Sequence, residues 1–195
     1  MAGLVTQSKR APLAERGDDL YETPPAVTRA LCRNYCLPQR VWEPACGRGA
    51  MVAVLRDEEG LDVVATDLND HGWDGAITRV DFLMEQAAPE GVDTIVTNPP
   101  YKLANEFARH ALKLCPHVCL FLRLAWLESM GRADLLDAGS GFKYLMPFKA
   151  RVPMMHRDGW QGSRSSSAVA FAWFIWERGF AGAPTVTRLD LVEGP

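Results

Sequence analysis

The chain places an amide, two prolines and an aromatic side by side at Asn98, Pro99, Pro100 and Tyr101, directly after an apolar run. A proline cannot donate a ladder hydrogen bond, and it excludes its predecessor from the helical region, so a strand that reaches these residues must end abruptly. The sequence therefore predicts a stiff, exposed turn at a strand end. Such a turn can hold a small polar group, here the Asn98 amide, in a fixed geometry for chemistry.

A second candidate site is the turn EPACGRGA, which follows the first predicted strand. Gly47 and Gly49 would let a ligand approach the backbone, although two glycines also fit a tight strand-to-helix turn without a ligand. Asp67 ends the next apolar strand, where a carboxylate is suited to holding ribose hydroxyls. The turn has Ala45 in place of the leading glycine of the dinucleotide fingerprint, which favours a nucleoside cofactor without a pyrophosphate.

These candidate residues lie at the ends of apolar segments that alternate with helical patterns. Strands are predicted in the segments RVW, DVVATD, VDTIVT, HVCLFLRLAW, FKYLMPFKAR and AVAFAWFIWERG. Helices are predicted in PPAVTRALCRNYC, with Thr23 as a candidate cap, in MVAVLRDEE, and in residues 105–114 and 128–137. The alternation predicts an α/β fold with a largely parallel sheet, and the last two strands should form an antiparallel edge hairpin. In such sheets ligands bind beyond the carboxyl ends of the strands.

Composition limits the classes of function. The chain has 195 residues, enough for one domain with a sizeable core, and its 48% hydrophobic and 23% charged residues are typical of a soluble globular protein. A net charge of −3 excludes a basic coat, so nucleic acid would have to be contacted by a local patch. The sequence contains neither a membrane-spanning run nor a secretory signal, which predicts a cytoplasmic location.

The chain has five cysteines, most of them in apolar contexts, which favours reduced core thiols over disulfides. Cys32 and Cys36, like Cys115 and Cys119, are four positions apart. Metal-binding cysteines are more often separated by a shorter spacing, so a four-cysteine site is disfavoured and no metal is predicted.

The motifs and their order resemble a known superfamily. EPACGRGAM comes first, then TD at the second strand end, DF at Asp81 and Phe82, and finally NPPY. This series resembles the S-adenosylmethionine-dependent amino methyltransferases. The upstream YETPP and the closing AFAWFIWERG resemble, within that superfamily, the adenine-specific DNA methyltransferases of phages and bacteria. The resemblance covers about residues 18 to 180.

The resemblance implies a Rossmann-like class I methyltransferase fold. Its sheet would have seven strands, mostly parallel with an antiparallel edge hairpin, and helices would cover both faces. A single catalytic domain would span residues 18–183, between a flexible arm at residues 1–17 and a C-terminal tail at residues 184–195.

The implied reaction is transfer of a methyl group from S-adenosylmethionine to N6 of a flipped adenine in DNA. An exocyclic amino group is a poor nucleophile because its lone pair is delocalised into the ring. Two acceptors, the Asn98 side-chain oxygen and the Pro99 carbonyl, would favour the pyramidal nitrogen that attacks in line. Proline rigidity keeps these acceptors in position, and Tyr101 offers a face for the extruded base. Direct transfer requires no cysteine nucleophile.

The resemblance also implies which residues of this chain contact the cofactor. The residues expected to bind the cofactor precede the first helix, lie at or after strand ends, or form the DF pair: Tyr21, Thr23, Pro24, Glu43, Pro44, Ala45, Gly47, Gly49, Asp67, Leu68, Asp81, Phe82 and Asn98. Within this set, Glu43 and the two glycines would line the methionine and ribose portion. Asp67 would hold the ribose hydroxyls, and Asp81 with Phe82 the adenine. The YETPP residues would pack over the methionine end.

The loop between the last two predicted strands, VPMMHRDGWQGSRSSS, carries basic residues and a tryptophan. This combination suits phosphate contacts and stacking beside a flipped base, although a solvated hairpin loop has the same composition. The predicted substrate-binding residues are Tyr101, Lys102, Arg151, Arg157, Trp160 and Arg164.

Several alternatives stay open. Sequence-specific relatives usually carry a sizeable target-recognition region, and this chain has none, so we expect low sequence specificity and strong salt dependence. A homodimer or a partner subunit could supply specificity. The NPPY motif is shared by enzymes that act on RNA bases and on glutamine side chains of release factors. A binding module that has lost activity is a further alternative.

Overall fold

Eight strands form one sheet in the computed structural model, which describes residues 21–154 and 169–193. The strands are β1 (Arg40–Glu43), β2 (Asp62–Asp67), β3 (Ile77–Thr78), β4 (Thr94–Thr97), β5 (His117–Arg123), β6 (Phe142–Pro147), β7 (Phe171–Glu177) and β8 (Thr185–Val186). Their order across the sheet is β3-β2-β1-β4-β5-β7-β6-β8. Only β7 runs antiparallel to its neighbours, β5 and β6. The largely parallel sheet is confirmed.

Two details of the predicted sheet are wrong. The sheet has eight strands rather than seven, because β8 pairs with β6 inside the segment expected to be a tail. The two strands of the predicted hairpin do pair, but β7 lies between β5 and β6 and so is not at the edge. Its first six residues are buried, and a strand that is apolar on both faces must be covered on both sides.

The helices are α1 (Pro25–Asn34), α2 (Ala50–Ala53), α3 (Ala104–Leu114) and α4 (Ala133–Leu136). A π-helical segment, Val54–Glu58, continues α2. Single 3₁₀ turns occupy Phe82–Met84, Tyr101–Leu103, Leu124–Leu127 and Met130–Arg132. Within the described residues, none of these helices combines the length and the apolar composition that a membrane span requires.

Helices cover both faces of the sheet, as predicted. One core contains α1 and α2 with Val41 and Trp173, and the other contains α3 and α4 with Ile95 and Trp176. Side chains alternate between faces along a strand, so two tryptophans three positions apart on β7 enter different cores. The indole N–H of Trp173 donates to the Val27 carbonyl, and that of Trp176 to the Leu135 carbonyl.

Local chemistry explains where several elements begin and end. β4 ends at Thr97, directly before the residues of the proline turn, as predicted. The predicted helix over residues 128–137 is shorter than expected, because Gly131 disfavours helix and the Ser129 hydroxyl accepts from its N–H to form a separate turn. Thr23 does not cap α1: the helix begins at Pro25 with Pro24 in the capping position and no side-chain cap bond.

Candidate functional site

A groove lies at the carboxyl ends of β1, β2 and β4. Its larger part is a cavity of about 250 Å³ and its smaller part a niche of about 20 Å³, and both are lined by Tyr21, Ala45 and Asn98. The predicted residues that line the larger part are Pro44, Asp67, Leu68, Asp81, Phe82, Pro99, Pro100 and Tyr101. Those that line only the smaller part are Thr23, Glu43 and Gly47. The fold thus brings most of the predicted cofactor-binding and catalytic residues to one groove.

The glycine turn connects β1 to α2 and requires glycine at two positions. Gly47 has φ 55° and Gly49 has φ 79°, both in the left-handed region that side chains disfavour. A Cβ at Gly49 would also lie 2.5 Å from the Trp73 ring. Trp73 was not among the predicted site residues, because nothing in the local sequence places its indole over this turn.

Asp67 ends β2 and holds the glycine turn. Its Oδ2 accepts from the Gly47 N–H at 2.8 Å, and its Oδ1 accepts from the Asn69 N–H at 2.9 Å. His71 Nε2 lies 3.5 Å from the same Oδ1. A carboxylate has about four acceptor positions, so Asp67 is fixed by the backbone and can still accept from ligand hydroxyls. His71, which lines the larger cavity, was missed by the sequence analysis.

Glu43 is the last residue of β1 and is 2% exposed. Its Oε2 has no hydrogen-bond partner among the described residues. Burial, reinforced by the negative charge of Asp67, raises the pKa of the Glu43 carboxyl well above its ordinary value. A buried acid of this kind favours a cationic ligand, because a nearby positive charge stabilises the ionised form that burial disfavours.

The residues predicted for the adenine end form another wall of the larger cavity. Asp81 is exposed, and its Oδ1 accepts from the Leu83 N–H at 3.0 Å, which caps the 3₁₀ turn. The Phe82 ring is 2% exposed and packs 4.7 Å from the Phe107 ring centre and 5.2 Å from that of Trp42. Phe82 therefore anchors this wall in the core, while the Asp81 carboxylate remains accessible to a ligand.

The Asn98 amide has a defined orientation. Its Nδ2 lies 3.1 Å from the Tyr21 carbonyl oxygen and 3.1 Å from Thr23 Oγ1. A backbone carbonyl can only accept, so the nitrogen must face Tyr21 and the oxygen must face away. Asn98 Oδ1 is buried and has no donor among the described residues. The Pro99 carbonyl likewise accepts no hydrogen bond within the described parts of the chain.

The Tyr101 ring has close neighbours. It stacks on Tyr21 at 5.3 Å between ring centres, and the Arg123 guanidinium lies 4.3 Å from its centre. Lys102 and Arg151 are exposed near the carboxyl ends of β4 and β6. Arg123 was not predicted; its only signal was a charge at the end of an apolar run. The predicted substrate-binding residues Arg157, Trp160 and Arg164 lie outside the described residues.

The cysteine near the groove is not an activated nucleophile. Burial, together with the charges of Glu43 and Asp67, raises the pKa of the Cys46 thiol to about 12. A thiol with such a pKa is protonated at neutral pH and is a poor nucleophile. In residues 21–154 and 169–193, no three His, Cys, Asp or Glu side chains cluster in a way that could hold a metal ion.

No family model matches the chain, and no curated protein matches it. Solved structures do match. A type I restriction-modification methyltransferase subunit from Streptococcus thermophilus has a TM-score of 0.59 at 15% identity, over 87% of this chain and 47% of that one. A Listeria monocytogenes protein assigned to the class I S-adenosylmethionine-dependent methyltransferases has a TM-score of 0.61 at 13% identity, over 90% of this chain and 67% of that one.

A dimethyladenosine transferase from Plasmodium falciparum has a TM-score of 0.50 at 13% identity, over 80% of this chain and 62% of that one. At such identities the likeness shows the fold, which is the α/β Rossmann-like fold of these methyltransferases. The chain spans about half the length of the restriction-modification subunit, 47%.

Proposed function

We propose that this protein transfers the methyl group of S-adenosylmethionine to the exocyclic amino group of a nucleic-acid base, with N6 of adenine in DNA as the substrate. The observation that carries the proposal is the unpaired Asn98 oxygen at the end of β4. A buried acceptor without a donor costs about 1–3 kcal/mol. The neighbouring Tyr21 and Thr23 contacts fix that oxygen instead of satisfying it, which is the arrangement expected when the missing donor belongs to a substrate.

The residues of the groove fit S-adenosylmethionine. Glu43 lies beside the niche with an unpaired oxygen and suits the cationic methionine portion. Gly47 lets the ligand approach the backbone, and Asp67 is oriented to accept from ribose hydroxyls. Asp81, at the far wall of the cavity, suits the amino group of the adenine. When bound, the cofactor would supply an electrophilic methyl group.

The chain's own residues would prepare the acceptor nitrogen. Asn98 Oδ1 and the Pro99 carbonyl would each accept one hydrogen of the substrate amino group. This removes the nitrogen from conjugation with its ring and stabilises the positive charge that develops on it. Amide oxygens are too weakly basic to keep the surplus proton, so it would pass to solvent. Proline rigidity matters because small misplacements of preorganised acceptors cost large factors in rate.

Tyr101 would stack against the flipped base, and Lys102 and Arg151 would contact phosphates. In the free protein Tyr21 stacks on Tyr101, so an entering base would share or replace that contact. A role in substrate binding is also proposed for Arg157, Trp160 and Arg164, and it rests on the sequence alone. Residues 18–183 would form the catalytic domain, and its sequence specificity would be low or would be supplied by a partner subunit.

Adenine is favoured by the motif order and by the name of one similar structure, a dimethyladenosine transferase. Another similar structure is a restriction-modification methyltransferase subunit. On that second likeness we propose protection from restriction, in a bacterium or a phage, as the biological use. RNA adenine stays the second candidate, because a base flipped from either nucleic acid presents the same edge.

The test offers methyl-labelled S-adenosylmethionine with double-stranded DNA, single-stranded DNA, RNA and protein extract, and then analyses the digested products by mass spectrometry. We expect label in N6-methyldeoxyadenosine with the wild type, and a labelling rate about 10²–10³-fold lower with Asn98→Ala. Label in RNA or in glutamine would refute the proposed acceptor. Transfer at the wild-type rate in Asn98→Ala would refute the proposed site.

A further inference from the structure

Arg123 stands at the carboxyl end of β5, beside the turn that carries Asn98. β4 and β5 pair in parallel with Thr97 opposite Leu120, so the residues that follow each strand emerge at the same edge of the sheet. Arg123 is exposed, and its guanidinium lies 4.3 Å from the centre of the Tyr101 ring. Its charge is therefore in direct contact with the ring proposed to stack on the target base.

The guanidinium of Arg123 has no acceptor within the described parts of the chain. Other arginines of this protein are engaged: Arg29 pairs with Glu58, Arg109 with Asp134, and Arg178 donates to main-chain carbonyls. The Arg123 guanidinium contacts the Tyr101 ring, and it forms neither an ion pair nor a hydrogen bond with residues 21–154 or 169–193. Its N–H groups are available to a ligand.

Stacking of a guanidinium on an aromatic ring uses its flat face and leaves its N–H groups free around the edge. Those groups form a rigid fork that matches the oxygens of a phosphate. Because the ring fixes the plane of the fork, less conformational freedom is lost when a phosphate binds. A lysine at this position would retain the charge but would lose the fork and the stacking.

The surrounding charges favour a polyanion. Lys102 and Arg151 are exposed beyond β4 and β6, on either side of Arg123 at the same edge, and no acidic side chain pairs with them within the described residues. Lys149, by contrast, is paired with Asp190 at 2.6 Å. The chain as a whole has a net charge of −3. A nucleic acid would therefore be attracted by the local row of Lys102, Arg123 and Arg151, and not by the net charge of the protein.

We propose that Arg123 binds a backbone phosphate next to the target nucleotide while it holds the Tyr101 ring in place for the base. This inference rests on the proposed function and assigns to that site a substrate contact absent from the sequence analysis. It also commits the substrate to a nucleic acid, because a glutamine side chain of a protein carries no phosphate.

The test measures binding of a short fluorescein-labelled DNA duplex by anisotropy, over a series of salt concentrations and with S-adenosylhomocysteine present. Arg123→Gln should weaken binding about tenfold and reduce the slope of log affinity against log salt by about 0.9, the value for one phosphate contact. Arg123→Lys should keep the wild-type slope. The control is Arg33→Gln, because Arg33 is exposed at the end of α1 that leads to the opposite edge of the sheet, and it should change nothing.

Calorimetry and methylation kinetics together separate a phosphate contact from a structural role. By calorimetry, the cofactor affinity and the melting temperature of Arg123→Gln should equal those of the wild type. In the kinetics, the KM for DNA should rise by a larger factor than kcat falls. An unchanged salt slope in a variant that still methylates DNA would overturn the inference alone. A wild-type protein that binds the cofactor but neither binds nor methylates any nucleic acid would overturn the proposed function and the inference with it.

Discussion

The middle of the sheet and the carboxyl edge of β1, β2 and β4 treat their polar groups in opposite ways. In β7 the indoles of Trp173 and Trp176 are fully buried, and each N–H has a carbonyl partner. At the edge, Glu43 and Asn98 each present a buried oxygen that lacks a donor among the described residues. The two indoles of β7 have the partners that they need, whereas the edge leaves two acceptors open.

Open acceptors destabilise the folded chain, so the presence of Glu43 and Asn98 in one groove indicates a function that compensates for them. The difference also has an experimental consequence. Substitutions in β7 should lower stability, whereas substitutions at the edge should lower binding or catalysis with little loss of stability. The separation fails if a β7 variant keeps its stability or if an edge variant loses stability instead of activity.

Trp176→Ala should lower the free energy of unfolding by about 3–5 kcal/mol, because it leaves a cavity and an unpaired Leu135 carbonyl. Urea unfolding followed by circular dichroism measures the effect. Trp176→Phe keeps most of the volume and should cost less than half as much. A full-length Trp176→Ala variant with wild-type stability would show that the aromatic core is not where stability resides.

Asn98→Ala should reduce kcat by about 10²–10³-fold, the range seen when a preorganised group that stabilises transition-state charge is removed. Its free energy of unfolding should change by less than about 1 kcal/mol, because the lost hydrogen bonds to Tyr21 and Thr23 are offset by removal of the unpaired oxygen. Asn34→Ala, at the exposed end of α1, is the control. A large loss of stability with a normal kcat would show that Asn98 has a structural role and not a catalytic one.

Glu43→Gln should weaken S-adenosylmethionine binding roughly ten- to hundredfold, which corresponds to the loss of one charge-assisted hydrogen bond. The raised pKa of Glu43 also gives binding a pH dependence. A bound cation favours the ionised carboxyl, so affinity should rise with pH across the window between the pKa values of the bound and free forms. The Gln variant should show no such rise.

Glu43 has the opposite effect on folding. Because its pKa is raised in the folded state, its contribution to stability is complete below the unfolded pKa and is lost as pH rises towards the folded value. The wild type should therefore lose stability relative to Glu43→Gln as pH rises above the ordinary carboxyl range. Melting temperatures of both proteins over a pH series measure this difference, and parallel curves would contradict the assignment.

The smallest effect is expected in a matched pair of threonine variants. Thr23→Val removes one of the two acceptors that orient the Asn98 amide and should lower kcat several-fold, equivalent to about 1 kcal/mol. Thr28→Val removes a buried hydroxyl that has no partner among the described residues, so it should leave kcat unchanged and stability equal or higher. Equal losses of kcat in the two variants would argue against the orienting role of Thr23.

Features set by short stretches of sequence could be predicted. The apolar runs gave β2, β4, β5, β6 and β7, and the prolines after Thr97 gave the end of β4. The strands β3 and β8 were missed, because each has only two residues and exists through pairing with a neighbour distant in the chain. A short segment does not encode such pairing.

The candidate site was predicted where motifs are local and missed where contacts are distant. The groove contains the predicted Glu43, Gly47 and Asp67, whose roles stay predictions. Thr23 was considered as a helix cap, but its hydroxyl instead accepts from Asn98, 75 positions away. Trp73 over Gly49 and Arg123 over Tyr101 are likewise contacts that only the folded chain creates.

Calorimetric titration of S-adenosylmethionine into the wild-type protein, in buffers with different ionisation enthalpies, tests most directly whether the groove with the open Glu43 carboxyl is a cofactor site. We predict binding of one molecule per chain. At a pH between the Glu43 pKa values of the bound and free forms, binding should release protons as Glu43 ionises beside the cation, and Glu43→Gln should release none. A wild-type protein that takes up no S-adenosylmethionine would contradict the account.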